Sequence, residues 1–145
     1  MRDIRRSALL PYSPGQVYSL VAEVERYPEF LPWCTGAKIL SADDREVTVR
    51  LSLSSGIARA SFTTRNRLDR DRSMTMSLVE GPFDHLEGRW DFTPIAQAGT
   101  RADLHVSFAT RGVASALALG PAFEAACNHL VDAFARRARE VYGGR

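Results

Sequence analysis

"VTVRLSLSSGIARASFTTRNRL", residues 47–68, decides the fold. Val47, Val49, Leu51 and Leu53 alternate with Thr48, Arg50 and Ser52. Beyond the turn "SSG" (54–56), Ala58, Ala60, Phe62 and Thr64 alternate with Arg59, Ser61, Thr63, Arg65 and Arg67. A period of two sends one set to a core and the other to water, as a half-buried strand requires. The pattern continues downstream. "SMTMSL" (73–78) aligns Met74, Met76 and Leu78; "LEGRWDFT" (86–93) aligns Leu86, Gly88, Trp90 and Phe92; "RADLHVSFA" (101–109) aligns Ala102, Leu104, Val106 and Phe108. Turn residues at "ADDRE" (42–46), "DRDR" (69–72), "EGP" (80–82) and "AQAG" (96–99) separate the runs. Short connections between alternating strands predict an antiparallel meander with one wet face.

Helices are predicted at both ends. "SPGQVYSLVAEV" (13–24) opens with Ser13 as N-cap and Pro14 at the first helical position, and gathers Val17, Leu20, Val21 and Val24 on one side. From Pro121 onward, Phe123, Cys127, Leu130, Phe134, Ala138 and Val141 recur at steps of three and four, opposite Glu124, Asn128, Asp132, Arg136 and Arg139. Gly143 and Gly144 end this helix, and "VASALALG" (113–120) forms an earlier segment bent at Gly120-Pro121. The long helix must lay its stripe on the apolar face of the sheet, which gives a two-layer α+β domain spanning residues 1–145. "YPEFLPWCTGAKIL" (27–40) reads as a compact turn with little regular structure, because each proline blocks helix continuation. So much apolar area in a loop needs either a core to pack on or a ligand to meet.

Composition narrows the function classes. The chain has 145 residues, 45% hydrophobic and 25% charged, as expected of a soluble domain with a substantial core. "MRDIRRSALL" lacks the apolar segment of a secretory signal, so the cytoplasm is the expected compartment. A net charge of +2 does not announce a nucleic-acid binder. Cys34 and Cys127 lie far apart without metal-ligand spacing and read as buried free thiols. His85, His105 and His129 are isolated, and "HLE" (85–87) lacks the P-C-x-x-C that a zinc deaminase needs. No catalytic constellation, metal site or obligatory cofactor is expected.

Two patterns stay open on the residues alone. The inward set mixes the small Ala58, Ala60, Gly88 and Ala102 with the large Phe62, Met74, Met76, Trp90 and Phe108. Either helix aromatics fill the gaps or a hollow remains. "TRNRLDRDR" (64–72) carries Arg65, Arg67, Arg70 and Arg72 interleaved with Asp69 and Asp71, a solvated strand end or an RNA contact.

Four stretches, "SPGQVYSLVAEVERYPEFLPWC", "SFTTRN", "GPFDHLEGRWDFTP" and "ALALGPAFEAACNHLVDAFARRAREVYG", follow one another in an order that resembles a known family. It is the START-like, helix-grip family (Bet v 1-like, polyketide cyclase-like) that includes bacterial ribosome association toxins and mitochondrial coenzyme Q-binding proteins. "LSLSSGIARA" departs from it, with serines where an aromatic is expected before the glycine. The resemblance implies a strongly curved antiparallel sheet wrapped around the C-terminal helix, enclosing an apolar cavity. It implies, first, a non-catalytic protein that binds ubiquinone or another isoprenoid lipid, supports respiration and touches membranes peripherally for lipid exchange. Second comes a toxin that binds the large ribosomal subunit, blocks subunit association and has an antitoxin partner, with Arg65, Arg67, Arg70 and Arg72 toward ribosomal RNA. Third is a polyketide cyclase-like enzyme. The ligand contacts implied are Phe30, Leu31 and Trp33 at the cavity entrance, with Ala60, Phe62, Thr64, Asn66, Met74, Met76, Phe83, Gly88, Trp90, Phe123 and Phe134 within. Thr64 and Asn66, inward by alternation, are the polar members.

Overall fold

The computed structural model describes residues 1–96 and 99–143. Seven strands form one antiparallel sheet: β1 (Arg2–Leu10), β2 (Cys34–Ala42), β3 (Glu46–Ser55), β4 (Ala58–Asp69), β5 (Ser73–Glu80), β6 (Phe83–Ile95) and β7 (Gly99–Thr110), in the order β1-β7-β6-β5-β4-β3-β2. Helix α1 (Pro14–Ala22) and a 3-10 turn (Val24–Glu29) carry the chain from one edge strand to the other. Helix α2 (Val113–Tyr142) closes the chain, and the curved sheet grips it.

Each predicted strand is present with its apolar set toward the core, although on β4 Thr63, predicted outward, is buried beside Phe62 and Thr64 where the register with β5 shifts. Val49 and Leu53 are buried on β3, Leu86, Trp90 and Phe92 on β6, and Ala102, Leu104, Val106 and Phe108 on β7. Ser13 caps α1 through a full capping box: its hydroxyl accepts from the Gln16 amide at 3.2 Å while the Gln16 side chain accepts from the Ser13 N–H at 2.9 Å. Val17, Leu20, Val21 and Val24 are buried as the spacing requires. On α2 the buried residues Leu119, Phe123, Cys127, Val131, Phe134 and Ala138 form the inward stripe, and Val141 is exposed.

Four features differ from the expectation. The N-terminus is a strand, β1, paired along its length with β7 from Arg2↔Phe108 to Leu10↔Thr100. Its alternation is hidden because an arginine occupies an inward position: Arg2 reaches under α2 to Glu124 at 2.9 Å, and a Cβ at Gly120 would lie 3.2 Å from its guanidinium. "YPEFLPWCTGAKIL" ends in β2, whose register slips between Cys34 and Gly36 and again between Ile39 and Ser41, which breaks the period of two. β6 begins at Phe83 rather than Leu86. Helix α2 runs unbroken through Pro121, where the single lost amide bond is offset by burial of Leu119 and Phe123 on either side. Gly143, at φ 86°, ends α2 as predicted; Gly144 and residues 97 and 98 of the predicted "AQAG" turn lie outside the described residues.

Aromatic rings fill the space between sheet and helix in two groups. Phe123 of α2 meets Phe62, Phe83 and Phe108 of the sheet with centroids 5.6, 5.0 and 4.7 Å apart. Further along α2, Phe134 meets Tyr27, Phe30 and Trp90 at 5.5, 5.2 and 5.5 Å. The end of α2 is tied back to the start of the chain. Tyr12 donates its hydroxyl to the Gly143 carbonyl at 2.6 Å, and Tyr142 donates to the Gln16 carbonyl at 2.9 Å. No helix among the described residues is long and apolar enough to cross a membrane.

Candidate functional site

Between the two aromatic groups lies a cavity of about 80 Å³. Its floor is the inner face of the sheet: Leu51 from β3, Phe62, Thr64 and Asn66 from β4, Met76 from β5, Leu86, Gly88 and Trp90 from β6, Leu104 and Val106 from β7. Its roof is α2, through Phe123, Ala126, Cys127 and Leu130, and its side is Val24, Tyr27 and Trp33. Beyond Phe123 the helix contributes small or flexible residues at this level, Ala126, Cys127 and Leu130, and the sheet contributes Gly88. A Cβ at Gly88 would stand 2.7 Å from the Met76 methyl, so this flexible side chain already occupies the space over the glycine.

Of the predicted ligand contacts, Trp33, Phe62, Thr64, Asn66, Met76, Gly88, Trp90 and Phe123 are brought together around this cavity. Phe30, Leu31, Ala60, Met74, Phe83 and Phe134 do not line it. Phe30 packs edge-on against Phe134 under the Arg137 guanidinium, 4.9 Å from its ring centroid. Phe134 is held between Phe30, Tyr27 and Trp90. Phe83, fully buried, is enclosed by Phe62, Phe108 and Phe123. Met74 is buried core, and Ala60 lies in a shallow groove with Thr35, Ser52 and Ser61. Leu31 is buried beside a separate surface groove of about 410 Å³, lined also by Ala122, His129, Asp132 and Arg136. Trp33 and Ala126 line both this groove and the cavity, so they form the wall between interior and surface. Alternation already placed Leu51, Leu86, Leu104 and Val106 inward, and the helical stripe placed Cys127 and Leu130. Tyr27 and Ala126 are the lining residues that neither the periodic patterns nor the predicted ligand contacts had named.

The polar content of the cavity is small and almost fully committed. Thr64 donates to Asn66 Oδ1 at 2.8 Å, and the Asn66 amide nitrogen has only the Met74 sulfur at 4.0 Å. That nitrogen carries two N–H groups, so the wall presents a donor without a strong acceptor. Tyr27 donates its hydroxyl to the Val21 carbonyl, and burial pushes its pKa far up. Burial likewise pushes the Cys127 thiol up to about 12. Among the described residues, no carboxylate, histidine, lysine or arginine lines the cavity. Burial thus holds both titratable groups of the described lining, Tyr27 and Cys127, in their neutral forms at neutral pH. No cluster of His, Cys, Asp or Glu among the described residues could hold a metal ion.

The four arginines singled out in sequence are all exposed but do not form one cluster. Arg65 and Arg67 project from the outer face of β4, and Arg67 pairs with Glu46 at 3.3 Å. Arg70 and Arg72 belong to the β4–β5 turn, around Asp71 at φ 64°. The histidines are surface groups: His85 contacts the Ser107 hydroxyl at 3.1 Å, His105 contacts Asp3 at 2.6 Å, and His129 lies in the groove.

A family model described as polyketide cyclase/dehydrase and lipid transport matches residues 10–135. The chain belongs to this family. Among its relatives, the ribosome association toxin RatA of Escherichia coli (strain K12) is 42% identical over 145 residues, covering all of this chain and 92% of that protein. The mitochondrial coenzyme Q-binding protein COQ10 homolog B of Xenopus laevis is 26% identical over 97% of this chain and 59% of its own length. The crystal structure of the Zhui aromatase/cyclase from Streptomyces sp. R1128 superposes with a TM-score of 0.86 over 99% of both chains at 21% identity, and so shares the fold. Polyketide cyclase family membership and the helix-grip fold thus agree with the expectation drawn from the sequence.

Proposed function

We propose that the chain is a ribosome-association toxin, a translation inhibitor that binds the large ribosomal subunit, blocks its joining to the small one and is countered by an antitoxin. The observation that carries this reading is the 42% identity to RatA across every residue of the chain. The proton-inert interior supports action by binding rather than by cyclase-type chemistry. Added to a cell extract at low salt, the purified protein lowers the joined-ribosome peak of a sucrose gradient and raises the free-subunit peaks. A profile unchanged at every salt concentration overturns the proposal.

A second reading rests on the cavity. Its apolar walls and the unspent Asn66 amide suit an apolar molecule bearing a carbonyl, such as ubiquinone or another isoprenoid lipid, and the coenzyme Q-binding relative supports the same chemistry. Each square ångström of apolar area removed from water contributes about 25 cal/mol. The space of about 80 Å³ is well below the roughly 300 Å³ at the lower end for small-molecule sites, so a ligand enters only if Met76 and Trp33 move. Mass spectrometry of lipid extracted from protein purified from its native host tests this: recovered quinone supports it, and lipid-free protein that also fails to bind added quinone overturns it.

A further inference from the structure

The outer face of the sheet has two halves with opposite charge chemistry. On β6, β7 and β1, arginines are matched to carboxylates on the same face: Arg89 to Asp91 at 2.9 Å, Arg101 to Asp103 at 3.1 Å, and Arg5 to Asp3 at 3.5 Å, with the His105 imidazole 2.6 Å from the same Asp3. The hydrogen bond from His105 helps hold the Asp3 carboxyl below the usual range. On β2, β3 and β4 the exposed Lys38, Arg50, Arg59 and Arg65 have no ion-pair partner among the described residues.

Strand register puts these four on one surface. Val49 and Leu51 face inward, so Arg50 faces out, and its direct cross-strand neighbours are Lys38 and Thr63. Arg65 lies opposite Thr48, and Arg59 opposite Ser54. Ser52 and Ser61 stand between them, their hydroxyls 3.1 Å apart. Thr63, buried on this face between Arg50 and Glu80, has a hydroxyl without a partner. The nearby carboxylates sit at the margins: Asp43 and Asp44 in the β2–β3 turn, Glu46 paired with Arg67, Asp69 at the end of β4, and Glu80 on β5. Like charges directly opposed across a sheet, as Lys38 and Arg50 are, weaken it. A surface of unmatched cations set among serine and threonine hydroxyls has the donor chemistry that contacts a nucleic-acid backbone.

We propose that the outer face of β2–β4, centred on Lys38, Arg50, Arg59 and Arg65, is the surface that contacts the phosphodiester backbone of RNA. The inference rests on the ribosome reading and supplies its interface. It replaces the turn arginines Arg70 and Arg72, whose neighbours Asp69 and Asp71 reduce the local positive charge, with a patch whose four cations form no ion pair among the described residues and whose nearest cross-strand carboxylate, Glu80, is separated from Arg50 by Thr63. Backbone contacts of this kind carry affinity and salt dependence without reading base sequence.

The test measures binding of the full chain to purified large ribosomal subunits, and to a bare ribosomal RNA fragment, across a salt series. Arg50→Gln combined with Arg65→Gln is expected to weaken both by at least about tenfold and to reduce the number of released counterions by about two. Arg89→Gln combined with Arg101→Gln, on the paired half, leaves both unchanged, and circular dichroism checks that all variants are folded. If the first pair binds subunits and RNA as tightly as the parent, the surface is wrong while the toxin reading survives. If the parent does not affect subunit joining but binds bare RNA through Arg50 and Arg65, the toxin reading falls and the surface stands. Binding to phosphatidylglycerol vesicles through the same residues, without binding to either RNA probe, overturns the surface in favour of a membrane.

Discussion

The two aromatic groups and the hollow between them are built from the same strands and the same helix, yet they use that scaffold in opposite ways. Around Phe123 and Phe134 each ring meets three others edge-on, and little volume is left. Between them, Cys127 and Leu130 face Gly88 and Met76, and about 80 Å³ stays empty. A domain that could have closed its core with another ring instead sets a glycine under a movable methionine. Close packing is therefore a choice of residue at each level of the helix, and the level left open is where Asn66 turns an amide inward.

The largest expected effect comes from the packed side of this contrast. Phe83 is fully buried among three rings, so Phe83→Ala should cost about 3–5 kcal/mol in urea unfolding. A loss below about 1 kcal/mol would erase the distinction between cluster and hollow.

Cys127 probes the roof by pH. Its thiol is raised by burial from 9.0 in the unfolded chain to about 12 in the fold. A raised folded pKa leaves stability intact below pH 9 and removes it progressively as pH rises from 9 toward 12. Stability measured at pH 8 and pH 10 should fall for the parent and fall less for Cys127→Ala. An equal fall in both would mean that the thiol is not buried against the hollow.

Gly88→Ala sharpens the comparison from the floor. Its new methyl crowds only the flexible end of Met76, with Val106 and the His105 carbonyl at ordinary contact distance, so stability should change by less than about 1 kcal/mol while quinone affinity, read by tryptophan fluorescence, drops. A large destabilisation with unchanged affinity would mark the hollow as ordinary core. The smallest effect is expected at Ala60→Leu. Ala60 borders a shallow outer groove and not the cavity, so stability should shift by about 0.5 kcal/mol or less and quinone binding should not change.

How much of this was readable in the sequence depends on which residues carried a clean period. Alternation revealed β3 to β7 and turned Thr64 and Asn66 inward, and the step of three and four revealed the stripe of α2. β1 was hidden by Arg2, which faces inward only because Glu124 waits there, a pairing across 122 positions that no local pattern records. β2 was hidden by its two register shifts. The hollow was legible as a surplus of small inward residues, but its size depends on where Met76 rests over Gly88, a side-chain choice that spacing cannot express. Phe30 and Phe134 looked like cavity walls because aromatic residues line cavities and fill cores alike. The split between the charged halves was written plainly as Arg-x-Asp at 89–91 and 101–103 against Arg-x-Ser at 50–52 and 59–61, but only strand register shows that the second set shares one surface.

β1 has no neighbour in the sheet except β7. During synthesis its residues are made about ninety positions ahead of their partners in β7 and stand unpaired in the interval, roughly 5 to 20 s at elongation rates of about 5–20 residues per second. The tyrosine latches at Gly143 and Gln16 come later still, since they need the last turn of α2. A sheet whose edge strand waits for β7, and whose latches wait for the last turn of α2, closes only after residue 143 has been added, so until then strand pairing alone must hold the nascent domain.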